Sequence, residues 1–173
     1  MFKKIDLMSN VRNGVIAGLI FSISVFFYIR ETTYSHTWLV YVGSFLFFIM
    51  IVIDVMLFNR RRGSNANTVT MVFSSHVTTL IGVVVASLLS FILLSIMVPG
   101  YLDNGPAGKV APDAPINDIH DKTNGLSFRI FIAATIFNFA FGSFASILFP
   151  FSIKRNQTKE SGEPYPLQNQ RPV

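Results

Sequence analysis

Four long apolar runs alternate with shorter polar segments along the chain. The third run, Val77 to Val98, has twenty-two residues without a charge and is followed by Pro99 and Gly100. As a helix with a rise of about 1.5 Å per residue it covers about 33 Å, enough to cross a hydrocarbon core of about 30 Å. The pattern therefore predicts four transmembrane helices, at about residues 14–29, 37–58, 77–98 and 128–149.

Small or short polar residues recur every four positions in three of these runs, a spacing that stacks them on one face of a helix. Such a face lets another helix backbone approach closely, as is common where membrane helices meet. The residues are Gly14, Gly18 and Ser22 in the first run; Gly82, Ala86 and Ser90 in the third; and Asn138, Gly142 and Ser146 in the fourth. We predict that they are helix-packing surfaces and that the first two sets are able to face each other.

The polar segments predict how the runs are connected. A basic leader precedes the first run, but no small-x-small cleavage site follows it, which favours an uncleaved signal-anchor. Residues 68–76 are expected to form either an interfacial helical turn or the inner extension of the third span. Residues 100–125 are rich in Gly, Pro, Asp and Asn, so a long outer loop is expected between helices 3 and 4.

The composition agrees with a membrane protein. Of 173 residues, 51% are hydrophobic and only 13% are charged, whereas a soluble domain carries about 25% charged residues. We expect a four-span membrane domain at residues 1–150 and a largely disordered tail at residues 151–173. Cysteine is absent, which excludes disulfides, thiolate metal sites and a cysteine nucleophile.

The basic residues predict the orientation. If four spans are present, both termini and the loop between the second and third spans lie on one side of the membrane. Ten of the fourteen Lys and Arg residues lie on that side, and Arg60, Arg61 and Arg62 are the strongest signal. The positive-inside rule then places both termini in the cytoplasm. The net charge of +5 is accordingly attributed to residues that flank spans, and no nucleic-acid partner is expected.

Asp54 is the only carboxylate inside the four runs, and an ionisable residue within a membrane is a functional candidate by default. It lies sixteen residues after Trp38, or about 24 Å along a helix, and so close to the cytoplasmic boundary. There it can pair with an arginine or cap a neighbouring helix, or it can serve as a proton or ion site. His76 lies near the same boundary, so an Asp54–His76 polar pair is possible, beside the alternative of a simple interfacial histidine.

Other candidate chemistry is weak. Carboxylates and an imidazole in the outer loop could bind a metal, but their spacing matches no calcium-loop pattern, and a solvated acidic loop is preferred. These residues are Asp113, Asp118, His120 and Asp121. A glycosylation motif at Asn156 falls on the cytoplasmic side and is treated as incidental. Phosphate-binding, nucleophile-elbow and metalloprotease motifs are absent, so no catalytic, cofactor-binding or metal residues are predicted.

The arrangement resembles small four-span bacterial inner-membrane proteins of unknown function. The features that carry the resemblance extend over most of the chain: Gly14 and Gly18 in the first span, Asn59-Arg60-Arg61-Arg62, Phe73 before the third span, Pro99 after it, and Lys154-Arg155 after the fourth. The resemblance implies topology and a bacterial origin, and no activity.

We therefore expect an all-α, integral membrane four-helix bundle in the bacterial inner membrane. Its expected role is that of a non-enzymatic accessory or scaffolding subunit. Its expected partners are the lipid bilayer and either another membrane protein or further copies of the same chain. The alternative is a small transporter or an ion-conducting homo-oligomer that uses Asp54 and His76, and a membrane enzyme is a third option.

Overall fold

The computed structural model describes residues 6–31, 36–62, 67–98, 101–102 and 125–160, with side chains as far as Lys154 in the last segment. These residues form four helices and no strand, which confirms the all-α prediction for the described part of the chain. Most of the predicted outer loop, with its four metal candidates, and residues 161–173 lie outside the described residues. All four helices are long and apolar enough to cross a membrane.

The helices are longer than the apolar runs that predict them. The first three are α1 (Leu7–Arg30), α2 (Trp38–Arg62) and α3 (Thr68–Met97). The fourth consists of three joined pieces, α4 (Leu126–Ile132), a π-helical turn (Ala133–Phe137) and α5 (Asn138–Glu160).

The early starts of α1 and α3 have a local cause. Asp6 accepts a hydrogen bond from the backbone N–H of Ser9 at 3.2 Å, and Asn67 accepts one from Val69 at 3.0 Å. Side-chain acceptors of this kind satisfy the free N–H groups at a helix start. Residues 68–76 therefore extend the helix of the third predicted span, as one of the two predicted alternatives has it.

The fourth helix continues through Pro150 to Glu160, past residue 150, where the predicted membrane domain ends. Proline interrupts the backbone hydrogen bonding of a helix, but packing can hold the next turn in place. Here Phe149 and Ile153 pack against a small buried cluster of Val55, Phe58 and Met71. This contact places the turn after Pro150 on the bundle.

The bundle has α1 and α5 at opposite corners, each packed against both α2 and α3. The α1–α3 pair is parallel, because Gly14 lies beside Thr78 and Gly18 lies beside Val85. Large side chains such as Phe21, Phe47 and Ile51 are fully buried between the helices. Polar side chains are concentrated in the interior near the start of α1 and the end of α2.

Candidate functional site around Asp54

Asp54 is buried in the bundle, with 4% of its surface exposed, and it meets side chains of two other helices. The Nδ2 atom of Asn13, on α1, donates a hydrogen bond to Oδ1 of Asp54 at 2.6 Å. Thr78, on α3, lies beside this carboxylate, and its hydroxyl donates to the carbonyl oxygen of Ser74 at 3.3 Å. Asp54 therefore bonds α2 to α1, next to the face of α3.

A second polar contact lies one turn nearer to the start of α1. The hydroxyl of Ser74 donates a hydrogen bond to Oδ1 of Asn10 at 2.9 Å, and both residues are buried. Because Asn10 and Asn13 are three residues apart and Ser74 and Thr78 are four apart, each pair lies on one helix face. The two contacts form a continuous polar seam between α1 and α3.

Four members of this seam, Asn10, Asn13, Ser74 and Thr78, were not among the predicted site residues, because none of them is ionisable. The i, i+3 spacing of the two asparagines is the signal that could have found them, since it marks one polar face at the start of an otherwise apolar helix.

Arg61 lies at the surface, at the exposed end of the seam. Its guanidinium donates a hydrogen bond to Oγ of Ser9 at 2.6 Å and lies 3.9 Å from the carboxylate of Asp6. These groups are about half exposed, so the ion pair itself stabilises the fold little. The positive charge is also near enough to act on Asp54.

His76 and Asp54 have different partners. Nδ1 of His76 lies 3.0 Å from the carbonyl oxygen of Val72, one turn back on its own helix. His76 is two residues from both Ser74 and Thr78, or about 200° around the helix at 3.6 residues per turn, so it points away from the seam. The structure does not bring the predicted polar pair together.

The small-residue faces of α1 and α3 lie against each other. A Cβ atom built on Gly14 would be 2.7 Å from the carbonyl oxygen of Thr78, and one on Gly18 would be 2.9 Å from that of Gly82. Ser22, Ala86 and Ser90, which continue the two faces, are also buried. The backbones approach as closely as they do because these positions carry little or no side chain.

The small face of the fourth helix packs against α3. A Cβ atom on Gly142 would lie 2.8 Å from Oγ1 of Thr79, and Oγ of Ser146 is 3.4 Å from the same atom. Asn138 is fully buried, but its Nδ2 donates to Ala134 of its own helix at 3.3 Å. Its Oδ1 has no hydrogen-bond partner among the described residues, so no interhelical bond of Asn138 is seen.

A small cavity opens beside Asp54. Its volume is about 180 Å³, and it is lined by Asp6, Ser9, Asn10, Asp54, Phe58, Arg61 and Arg62. The cavity lies between the start of α1 and the end of α2, and it joins the buried carboxylate to the arginine-rich end of the bundle. Within the described ranges, no group of three or more His, Asp or Glu side chains is placed to hold a metal ion.

Comparison with known proteins gives no relative for this chain: no family model, no curated protein and no solved structure matches it.

Proposed function

We propose that the chain is a multi-pass protein of the bacterial inner membrane with both termini in the cytoplasm. Four helices of sufficient length and apolarity support the crossing of a membrane. The bias of ten basic residues to four supports the orientation. Reporter fusions after Ser64, after Gly108 and at the C-terminus test it. The first and third are expected to report the cytoplasm and the second the periplasm, and a periplasmic signal at Ser64 would reverse the orientation.

Within the membrane, the proposed role is that of a non-enzymatic accessory or scaffolding subunit. The observation that carries this proposal is the hydrogen bond that Asp54 accepts from Asn13 of α1, beside Thr78 of α3. The sole carboxylate of the four apolar runs is thereby used to join helices. A rigid bundle held in this way is suited to presenting fixed surfaces to other membrane components.

The packing of the interior is consistent with this role. Beyond Asp54, away from the arginine-rich end, the space between the helices is filled by Phe21, Phe47 and Ile51, which are fully buried. The outer surface of α3 is apolar along most of its thirty residues, with Leu80, Val84 and Leu88 exposed. Such an apolar surface can contact either lipid or the helix of a partner protein. The two cases are distinguished by measuring whether the chain assembles with another protein.

The experiment is extraction from the native membrane in a mild detergent, followed by mass analysis of the intact assembly. A stable assembly with a different membrane protein supports the accessory role. A symmetric homo-oligomer whose ion flux in liposomes disappears in the Asp54→Asn variant contradicts it.

The second candidate function is a small transporter or an ion-conducting homo-oligomer. It is favoured by one observation, the polar cavity that reaches Asp54 from the arginine-rich end. In this function the carboxylate is the ion-binding group, and a path beyond it would have to form between copies of the chain. His76 lies on the side of α3 that faces away from the seam. In this function it can contribute to ion passage only where two copies of the chain meet.

A further inference from the structure

One buried polar group in the wall of the cavity beside Asp54 has no partner within the part of the chain that the structure describes. Asn10 forms part of the cavity wall and has 1% of its surface exposed. Its Oδ1 accepts the hydrogen bond from Ser74, but its Nδ2 has no hydrogen-bond partner among the described residues. A buried amide N–H group without a partner is costly, and in folded proteins an ordered water commonly supplies the missing bond.

The charges that the described residues contribute to the cavity wall favour a neutral occupant. Among these residues two carboxylates, Asp6 and Asp54, are matched by two guanidinium groups, Arg61 and Arg62. An anion would meet the carboxylates and a metal cation would meet the guanidinium groups. Water is neutral and can both donate and accept, and about 180 Å³ gives room for several molecules at about 30 Å³ each.

Access to the carboxylate is one-sided. Next to Asp54, the bond to Asn13 closes the space toward α1, and the close approach of Gly14 to the carbonyl of Thr78 closes the space between α1 and α3. Farther along the bundle, Phe47 and Ile51 are fully buried. Water can therefore reach Asp54 from the arginine-rich end, while the packed interior lies behind it.

We propose that this cavity is a water-binding access site through which the carboxyl group of Asp54 exchanges a proton with the arginine-rich side. Among the described residues, the charged groups that line this cavity with Asp54 are Asp6 at the start of α1 and Arg61 and Arg62 at the end of α2; α3 contributes the hydroxyls of Ser74 and Thr78 nearby. The inference rests on the proposed membrane embedding, and it goes beyond the accessory role because it assigns a ligand, water with its proton, to this site.

Thiol labelling tests the access. The natural chain has no cysteine, so each introduced thiol is the only one present. The variants are Asn10→Cys in the cavity wall, Ser75→Cys as an equally buried control outside it, and Ile53→Cys on the outer surface beside Asp54, where 39% is exposed. Each is treated in membranes with a small, charged methanethiosulfonate, from which the thiolate displaces a sulfinate to form a mixed disulfide.

Asn10→Cys is expected to react on the order of tenfold faster than both controls, because thiolate attack requires contact with water. Equal, slow reaction of all three variants overturns the access site and leaves the membrane embedding intact. Fast reaction of Ile53→Cys overturns the embedding, and this inference with it.

Carbodiimide labelling of the unaltered chain tests whether the carboxyl group of Asp54 takes up a proton. This test does not depend on the folding of a cysteine variant. A protonated carboxyl adds across a C=N bond of the reagent: the carboxyl oxygen bonds to the central carbon and the proton moves to nitrogen. We expect an adduct on the peptide that contains Asp54, formed more slowly as pH rises, and none at this position in Asp54→Asn. An unlabelled Asp54, or labelling that does not change with pH, contradicts the proposal.

Discussion

Gly14 packs so closely against α3 that an alanine at this position has no room. A Cβ atom there would lie 2.7 Å from the carbonyl oxygen of Thr78 and 2.9 Å from Cβ of Ile81. Ordinary contacts of a Cβ atom begin at 3.4 Å, so the two helices must separate by about 0.7 Å, the difference between 3.4 and 2.7. Neither neighbour can move aside by rotating a side chain, since one is backbone and the other is a Cβ atom.

The free energies give Gly14→Ala a net destabilising effect. Overpacking of a filled interior costs about 1 to 3 kcal/mol. Alanine recovers up to about 1 kcal/mol relative to glycine in a helix. Because the neighbouring atoms cannot rotate away, the overpacking cost lies in the upper part of its range. After the gain from alanine is subtracted, the free energy of unfolding should fall by about 1 to 2 kcal/mol.

The assay is denaturant unfolding of both proteins in the same detergent. Leu88→Ala is the matched control, because Leu88 lies on the outer surface of α3 with 58% exposed and detergent can replace the trimmed atoms. The Leu88→Ala substitution should change the free energy of unfolding by no more than about 0.5 kcal/mol. A Gly14→Ala variant as stable as the natural chain would refute the close packing of α1 on α3.

Three further predictions concern the same bundle. Gly82→Leu should destabilise it more than Leu88→Ala does, because a Cβ atom at Gly82 already lies 2.7 Å from the ring of Phe47; the two are compared by thermal unfolding. Ser74→Ala should lower the free energy of unfolding by about 1 to 3 kcal/mol, since it leaves Oδ1 of Asn10 buried without a donor. Arg61→Ala should cost less than about 1 kcal/mol, because its partners are about half exposed; a larger loss in denaturant unfolding would show that Arg61 also stabilises the buried seam.

The long helices could be predicted from the sequence because a membrane-spanning helix requires a long apolar run. The extension of α1 was not predicted and that of α3 was one of two alternatives, because both contain polar residues that hydropathy assigns to the boundary. Asn10 and Asn13 enter the bundle because each meets a partner on another helix. Their i, i+3 spacing marks a polar face, but the identity of the long-range partner leaves no local signal.

The candidate site was predicted in part. Asp54 stood out because a carboxylate is rare in an apolar run, and the structure places it at the centre of the polar seam. The proposed partner, His76, was chosen because it is titratable, whereas the observed hydrogen-bond partner is the neutral side chain of Asn13, and the neutral Thr78 lies nearby. The small-residue spacing was more informative, since it located the helix faces at which α1 and α3 meet.

The central claim is that Asp54 joins helices inside a membrane accessory subunit, and a double-mutant cycle tests it most directly. Asn13→Ala, Asp54→Ala and the double variant are unfolded in the same detergent as the natural chain. A buried, charge-assisted hydrogen bond of 2.6 Å predicts a coupling free energy of about 1.5 to 3 kcal/mol. Strictly additive losses, with a coupling near zero, would contradict the claim that this bond holds α1 and α2 together.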